Sequence, residues 1–206
     1  VFLAGTFAYK LKKPVTFSFL DASTLKRRKR FCQLELSLNR RLAPAVYLGM
    51  VPIVETPRGL QLGGRGRVIE WVVKMRRLPE DRMLDQLVTR RRVNRRDMQR
   101  IADRLIPFFK QAARSNMIDR FGTPRRVAEL VLGNLRECQP FVGRLLSGAD
   151  RQLLEASYRQ YLALHEPLLA HRVKAGWILD GHGDLRCENI CMTDPVNIFD
   201  CVEFQP

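Results

Sequence analysis

The chain has 206 residues, and its 36 Lys and Arg against 21 Asp and Glu give a formal net charge of +15. With 46% hydrophobic and 28% charged residues it has the composition of a globular protein, which excludes disorder along the whole chain. No stretch approaches the roughly 18 uncharged apolar residues of a membrane span, so a transmembrane protein is also excluded. The N-terminus runs from apolar to basic, the reverse of a signal peptide, and we therefore expect a cytoplasmic protein.

Cysteine usage agrees with that compartment. The chain has an odd number of cysteines in largely apolar stretches, which is typical of free thiols in a reducing environment. They are Cys32, Cys138, Cys187, Cys191 and Cys201. The last three could suggest a metal site, but the C-x3-C spacing is not that of a zinc knuckle, so we favour buried small hydrophobic residues.

The N-terminal part is predicted to be rich in strands. Residues 1–13 form a strand-like run in which Lys10 and Lys12 share one side of a period-two pattern, and Pro14 ends or bends it. A helix follows, capped by Asp21, Ser23 or Thr24 and ending before the proline at position 44.

The apolar stripe of that helix contains a carboxylate. Phe31, Leu38 and Leu42 recur at helical spacing, and Glu35 takes the place between them. A charge on a buried stripe needs a partner, because an unpaired buried carboxylate is costly. The sequence leaves two interpretations open, namely a paired buried Glu35 or a glutamate at the edge of the stripe that reaches water.

Two further strands and a series of helices complete the pattern. Residues 45–54 and 68–75 read as strands joined by the Gly-rich turn GLQLGGRGR, which no helix follows, so we predict a hairpin rather than a phosphate-binding loop. Helical patterns follow over residues 101–116, 123–138 and 150–165, with Asp150 as a plausible cap of the last. Six arginines between Arg90 and Arg100 are opposed within that span only by Asp97.

The last 30 residues carry the strongest chemical signal. In GHGDLRCENI, Asp184 and Asn189 lie five positions apart on a loop that glycines punctuate, and Asp200 ends a later apolar run. Two carboxylates and an amide oxygen form a hard-oxygen set suited to Mg²⁺, with one member free to orient a hydroxyl nucleophile. We expect His182 to hold this loop by hydrogen bonds rather than to act as an acid or base.

The HGD-x4-N motif followed by an apolar run and Asp resembles the aminoglycoside phosphotransferase and choline kinase branch of the protein-kinase-like fold, and within it an uncharacterised bacterial subfamily. The stretches AYKLKKPVTFSFLD, RRKRFCQLELSLNRRLAP and VVKMRRLPEDRML share in this resemblance. It implies an α+β fold of two lobes, of which this chain would lack parts at both ends. Residues 1–75 would form a small antiparallel-sheet lobe with a helix over 23–42, residues 76–80 a hinge, and residues 81–206 a mainly helical lobe with a catalytic loop at 181–190 and a metal-binding segment at 197–203.

The resemblance also implies roles for particular residues. Asp184 corresponds to the catalytic Asp, and Asn189 and Asp200 correspond to the residues that bind Mg²⁺. Lys10, with Lys12 in reserve, would bind the phosphates of ATP and pair with Glu35. The backbone at Val73, Lys74 and Met75, directly before the hinge, would contact adenine.

The function implied is a Mg-ATP-dependent phosphotransferase that moves the γ-phosphate to a hydroxyl of a small molecule. Two alternatives remain: a basic protein that binds nucleic acid or another anion on a kinase-like scaffold, and a pseudokinase that binds nucleotide without turnover. The charge motivates the first, although the arginine run lacks interleaved aromatic residues. We expect no membrane partner, and relatives can be fused to a P-loop domain.

Overall fold

The structure is a computed structural model that describes residues 1–17 and 20–203. It has an α+β architecture with a five-stranded antiparallel sheet and a helical part. The chain divides into two compact units, one built from Val1–Lys110 together with the segment that begins at His182, and the other from Gln111–Gly181. The predicted hinge at residues 76–80 divides the chain into lobes, which differ from these two units, and it stays a prediction. Residues 204–206 of the predicted helical lobe lie outside the described residues.

The first unit holds the sheet and the helix that packs on it. Its elements in chain order are β1 (Phe2–Ala4), β2 (Phe7–Leu11), β3 (Thr16–Phe17), β4 (Leu20–Asp21), α1 (Leu25–Asn39), β5 (Tyr47–Thr56), β6 (Gly59–Leu62), β7 (Arg67–Arg76), α2 (Leu84–Thr89), α3 (Arg95–Gln111, whose last residue belongs to the second unit), β8 (Ile190–Cys191) and β9 (Asn197–Ile198). The large sheet has the order β1-β2-β7-β5-β6. The pairs β3–β4 and β8–β9 form two small separate sheets.

The predicted first strand is in fact a hairpin. A turn at Gly5 and Thr6 divides it into β1 and β2, and Gly5 has a φ of +56°, which glycine adopts without steric cost. Helix α1 is shorter than the predicted span of 23–42. It begins after Thr24, whose side chain accepts a hydrogen bond from the backbone N–H of Arg27 and so satisfies one of the free donors of the first turn.

The second predicted hairpin is confirmed with one addition. Strands β5 and β7 pair along most of their length, but part of the Gly-rich connection forms β6 on the other edge of β5. Gly66 returns the chain to β7 so close to β5 that a Cβ there would lie 2.5 Å from the carbonyl oxygen of Glu55. Glycine is therefore needed at this position because no larger residue fits.

Two apolar clusters lie inside the first unit. The sheet and α1 enclose one of them, formed by Ala8, Cys32, Ala43, Val46, Tyr47, Val73 and Met75. The other joins α2 and α3 to the C-terminal segment and consists of Leu42, Leu84, Ile101, Ile190, Met192, Val196 and Ile198. The second cluster therefore anchors the segment that carries Asn189 and Asp200.

The second unit is helical. It contains α4 (Asn116–Asp119), α5 (Pro124–Glu137) and α6 (Gly148–Lys174). Helix α6 is longer than the predicted 16 residues and continues through Pro167, and its cap is Ser147 rather than Asp150. The Ser147 side chain accepts a hydrogen bond from the Asp150 backbone N–H and donates one to the Asp150 carboxylate. No described helix is both long and apolar enough to cross a membrane.

All five cysteines are free thiols. Cys32, Cys191 and Cys201 are buried, as the sequence led us to expect, whereas Cys138 and Cys187 are exposed. Burial raises the pKa of the Cys32 and Cys191 thiols to about 11.

Candidate functional site

Glu35 is a paired buried carboxylate, so its interpretation as a glutamate reaching water is wrong. Its side chain is 0% exposed, and Phe31, one turn earlier on α1, is buried as well. Lys10 Nζ lies 2.9 Å from Glu35 Oε1, and Lys12 Nζ lies 2.7 Å from Glu35 Oε2. Each oxygen of one carboxylate therefore faces a different ammonium group.

Each lysine also contacts a second carboxylate from the C-terminal segment. Lys10 pairs with Asp200, and Lys12 Nζ lies 2.7 Å from Glu203 Oε1. The result is a row of alternating charges, here called the charge chain, in the order Asp200, Lys10, Glu35, Lys12, Glu203. Lys10 lies in β2 and Lys12 directly follows its last residue, and residues two apart along a strand point to the same face.

Two members of the charge chain, Lys10 and Glu203, have shifted pKa values. Burial alone would lower the pKa of Lys10, but the carboxylates of Glu35 and Asp200 outweigh it and raise this pKa well above its usual value. Burial raises the pKa of Glu203 to about 7, and the ammonium of Lys12 opposes this rise. Lys10 therefore stays positively charged throughout the physiological range, whereas Glu203 titrates within it.

Backbone hydrogen bonds hold the turn that contains Asp200. Its N–H donates to the hydroxyl of Tyr47 at 3.2 Å, and the N–H of Cys201 donates to Asn39 Oδ1 at 2.8 Å. Asp200 has a φ of +61°, a left-handed conformation that is uncommon for a residue other than glycine. These contacts from α1 and β5 fix a turn that directs the carboxylate to Lys10.

The sequence interpretation missed Asn39 and Tyr47. Asn39 lies one helical turn after Glu35 and is almost fully buried, and its side-chain amide also donates to the Glu35 carbonyl at 2.9 Å. The position of Asn39, four residues after Glu35 and therefore on the same helix face, was a signal available from the sequence. Tyr47 offered none, because an aromatic residue at the start of a strand indicates only a core position.

The loop with the HGD motif is organised around Asp184. The Asn189 side-chain amide donates to the Asp184 carbonyl at 2.8 Å and to its carboxylate at 3.1 Å, and Arg186 Nε lies 3.0 Å from Asp184 Oδ1. His182 is buried, and its Nδ1 lies 3.4 Å from the backbone N–H of Asp184. Burial lowers the pKa of His182, which favours the neutral ring needed to accept this hydrogen bond.

A cavity of about 290 Å³ joins the two parts of the site. It is lined by Lys10, Leu20, Asp184, Asp200, Cys201, Val202 and Glu203. Of the two lysines in the charge chain, only Lys10 lines it. The lining itself therefore carries one ammonium and three carboxylates, of which Asp184 also contacts Arg186 and Glu203 also contacts Lys12.

The predicted adenine contacts do not lie at a free edge. Val73, Lys74 and Met75 are in the interior of β7, which pairs with β2 on one side and β5 on the other. Their backbone groups face neighbouring strands on both sides, which argues against backbone hydrogen bonds to a ligand. The first residues beyond the strand are Arg77 and Leu78.

The predicted Mg²⁺ ligands Asn189 and Asp200 are not part of a preformed cage of acidic, His or Cys side chains in the described part of the chain. Within residues 1–17 and 20–203, no group of three or more His, Cys, Asp or Glu side chains is arranged to hold a metal ion. Mg²⁺ in phosphate-transferring sites is commonly held by one or two carboxylates together with substrate phosphates. The side chains of Asp184 and Asp200, 34% and 42% exposed, are accessible and have the required oxygen chemistry.

No family model matches the chain, and no solved structure matches it. The chain is 34% identical over all 206 residues to an uncharacterized protein of Mycobacterium bovis and to uncharacterized proteins of two Mycobacterium tuberculosis strains. It spans 40% of the length of these relatives. The chain is thus similar to one part of longer mycobacterial proteins.

Proposed function

We propose that this chain carries the nucleotide site of a Mg-ATP-dependent phosphotransferase that moves the γ-phosphate to a hydroxyl of a small molecule. The observation that carries the proposal is that Lys10, Asp184 and Asp200 line one cavity, although they come from three separate segments of the chain. These are the cation, the hydroxyl-orienting carboxylate and the metal-binding carboxylate that phosphoryl transfer requires.

The charge of the cavity supports a metal-dependent reaction. Four carboxylates (Asp184, Asp200, Glu203 and Glu35) face three cations (Lys10, Lys12 and Arg186), so a divalent cation would be needed to offset the repulsion of an ATP triphosphate. Asp200 and the amide oxygen of Asn189 would hold Mg²⁺, which when bound neutralises charge on the phosphoryl group in transfer. Lys10 would then exchange its contact with Asp200 for one with the phosphates while keeping its contact with Glu35.

Asp184 is the proposed proton acceptor. The acceptor hydroxyl oxygen would bond to the γ-phosphorus, the bond from that phosphorus to the bridging oxygen would break, and ADP would leave. The hydroxyl proton would pass to the Asp184 carboxylate, which Asn189 and Arg186 orient. Partial exposure leaves this carboxylate accessible to a substrate.

The remaining part of the proposal concerns the fold and the adenine. An antiparallel sheet with one packed helix is compatible with the small lobe of a protein-kinase-like fold of the aminoglycoside phosphotransferase and choline kinase type. We place the adenine contact at Leu78, because the backbone of β7 faces paired strands and the Arg77 N–H donates to the Thr6 carbonyl at 2.9 Å. The small-molecule acceptor and any fused P-loop domain belong to the complete protein and stay expectations.

The proposal is tested by thermal unfolding of the full-length protein with ATP and Mg²⁺, with ATP and EDTA, and with neither. We expect a stabilising shift only when both are present, because ligand binding to the folded state raises its stability. Asp200→Asn should abolish that shift. Asp103→Asn, an exposed carboxylate on α3, is the matched control and should retain it.

Turnover is measured separately. If Mg-ATP does not shift the unfolding temperature, or if the Asp200→Asn and Asp103→Asn variants show the same shift, the proposed nucleotide site is wrong. A shift in the wild type with no ADP release in the presence of a panel of hydroxyl acceptors would favour the pseudokinase. Release of ADP that Asp184→Asn lowers by roughly a hundredfold or more, the usual contribution of a general base, would support the phosphotransferase.

A further inference from the structure

A surface of exposed arginines lies where α2 ends and α3 begins. We call it the arginine face, and it consists of Arg90, Arg91, Arg92, Arg95 and Arg96. Among the residues that the structure describes, none of these five side chains forms an ion pair. Arg100 differs from them because its guanidinium donates to the backbone carbonyl of Thr193 and is thereby tied to the fold.

The first part of the arginine face closes α2. The N–H of Arg91 donates to the Val88 carbonyl at 2.9 Å, and the N–H of Arg92 donates to the Leu87 carbonyl at 2.8 Å. This is a helix-ending turn in which the left-handed position is usually glycine. Arg91 occupies it with a φ of +52°. The local fold would therefore be easier to form with glycine or asparagine than with arginine.

The second part lies in the first turn of α3. Asn94 caps this helix by accepting hydrogen bonds from the N–H groups of Arg96 and Asp97. Arg95 and Arg96 are thus at the positive end of the helix dipole, where acidic side chains are favoured and basic ones are not. Helix geometry again gives no reason for positive charge here, and the neighbouring arginines repel one another.

We propose that the arginine face binds the phosphate backbone of duplex nucleic acid without reading its sequence. A bound polyanion would reduce the repulsion between the arginines and would interact favourably with the positive end of the helix dipole. All the basic residues of this face are arginine, whose planar guanidinium matches phosphate oxygens two at a time. The stretch from Arg90 to Arg100 contains no aromatic residue on which an unpaired base could stack, so a duplex backbone fits better than a single strand.

A lipid surface fits this face less well. Peripheral membrane helices bind with an apolar face that enters the headgroup layer. The apolar stripe of α3 is already used, because Ile101 is buried in the second apolar cluster and Leu105 and Phe108 pack against it. Two exposed apolar side chains, Val88 and Met98, lie beside the five arginines, so charge outweighs apolar contact at this end of α3.

The arginine face is independent of the proposed phosphotransferase site. None of its residues lines the cavity that contains Asp184 and Asp200. Removal of its charges should therefore leave the thermal shift with Mg-ATP unchanged, and either proposal can fail without the other.

The test measures the affinity of the full-length protein for a short DNA duplex and a short RNA duplex of mixed sequence, across a range of salt concentrations. Five phosphate contacts predict a slope of log K against log salt of about −4.5, or a loss of roughly 500-fold between about 50 and 200 mM salt. The test variant replaces Arg90, Arg92, Arg95 and Arg96 with Gln. The control replaces Lys26, Arg30, Arg58 and Arg65 with Gln, which removes the same charge from exposed positions elsewhere in the first unit.

We expect the test variant to flatten the slope to about −1, since each lost phosphate contact removes about 0.9 from it. The control variant should keep most of the slope. Equal losses in the two variants would overturn the proposal, because binding would then follow net charge alone. Binding to phosphatidylserine vesicles or to polyglutamate but not to either duplex would also overturn it.

Discussion

The ammonium of Lys10 lies 2.9 Å from a carboxylate oxygen of Glu35, and this pair joins β2 to the buried face of α1. The second oxygen of Glu35 is not left for water, because Lys12 occupies it. One buried carboxylate thus holds two lysines, and each lysine reaches a further carboxylate in the C-terminal segment. The proposed phosphate-binding cation is therefore positioned by the same network that positions the proposed metal ligand.

Substitution of both lysines should cost more than the sum of the single substitutions. Lys10→Met or Lys12→Met leaves Glu35 one cation, whereas the double variant leaves a buried carboxylate unpaired, which costs about 3 to 5 kcal/mol. The free energy of unfolding from urea titration checks this prediction. The exposed pair Lys13→Met and Lys26→Met should be additive. Additivity for Lys10 and Lys12 would contradict the shared pairing.

Loss of the Tyr47 hydroxyl should loosen the Asp200 turn. Tyr47→Phe leaves the Asp200 backbone N–H without its acceptor, at an expected cost of about 1 to 3 kcal/mol in the free energy of unfolding. If Asp200 binds Mg²⁺, the thermal shift with Mg-ATP should also shrink. Tyr9→Phe on β2 is the control and should change neither quantity. A stable Tyr47→Phe protein with an unchanged shift would show that the hydroxyl does not position Asp200.

Glu203 should make the protein less stable as the pH rises. Its pKa is about 7 in the folded state against an ordinary value of 4.5, so the folded protein binds more protons than the unfolded chain between these values. The contribution of Glu203 to the free energy of unfolding is therefore fully present below about pH 4.5. It is lost as the pH rises towards 7, by up to about 3 kcal/mol. Glu203→Gln should flatten the pH dependence of unfolding in this window. Glu166→Gln, exposed on α6, should not, and equal effects of the two would contradict burial of Glu203.

Thiol labelling should separate the cysteines into two classes. Cys138 and Cys187 are exposed and should react within minutes with a thiol reagent near neutral pH. Cys32 and Cys191 should be protected in the folded protein, because burial raises their pKa to about 11 and shields the sulfur. Cys201, also buried, should be protected as well. Mass spectrometry after brief labelling identifies the modified residues, and rapid labelling of Cys32 would contradict the packing of α1 on the sheet.

Local patterns in the sequence identified much of the fold and several residues of the site. The shared side of Lys10 and Lys12 followed from strand periodicity, and the need of Glu35 for a partner followed from its position on the α1 stripe. Thr24 was among three predicted caps, and local sequence could not choose between them because Asp, Ser and Thr all cap helices well. The turn at Gly5 and the extension of α6 past Pro167 were missed because β-rich and helical composition continue through both.

What the sequence determined by itself is the set of chemical groups: two lysines at period two, a carboxylate on an apolar helix face, and the oxygen-bearing side chains of Asp184, Asn189 and Asp200. Only the tertiary structure decided which groups meet. In the folded chain each carboxylate oxygen of Glu35 lies beside a different lysine. Lys10, but not Lys12, lines the cavity. The physical reason is that periodicity fixes which side of an element a residue faces, whereas ion pairs between distant segments depend on packing that no local pattern encodes.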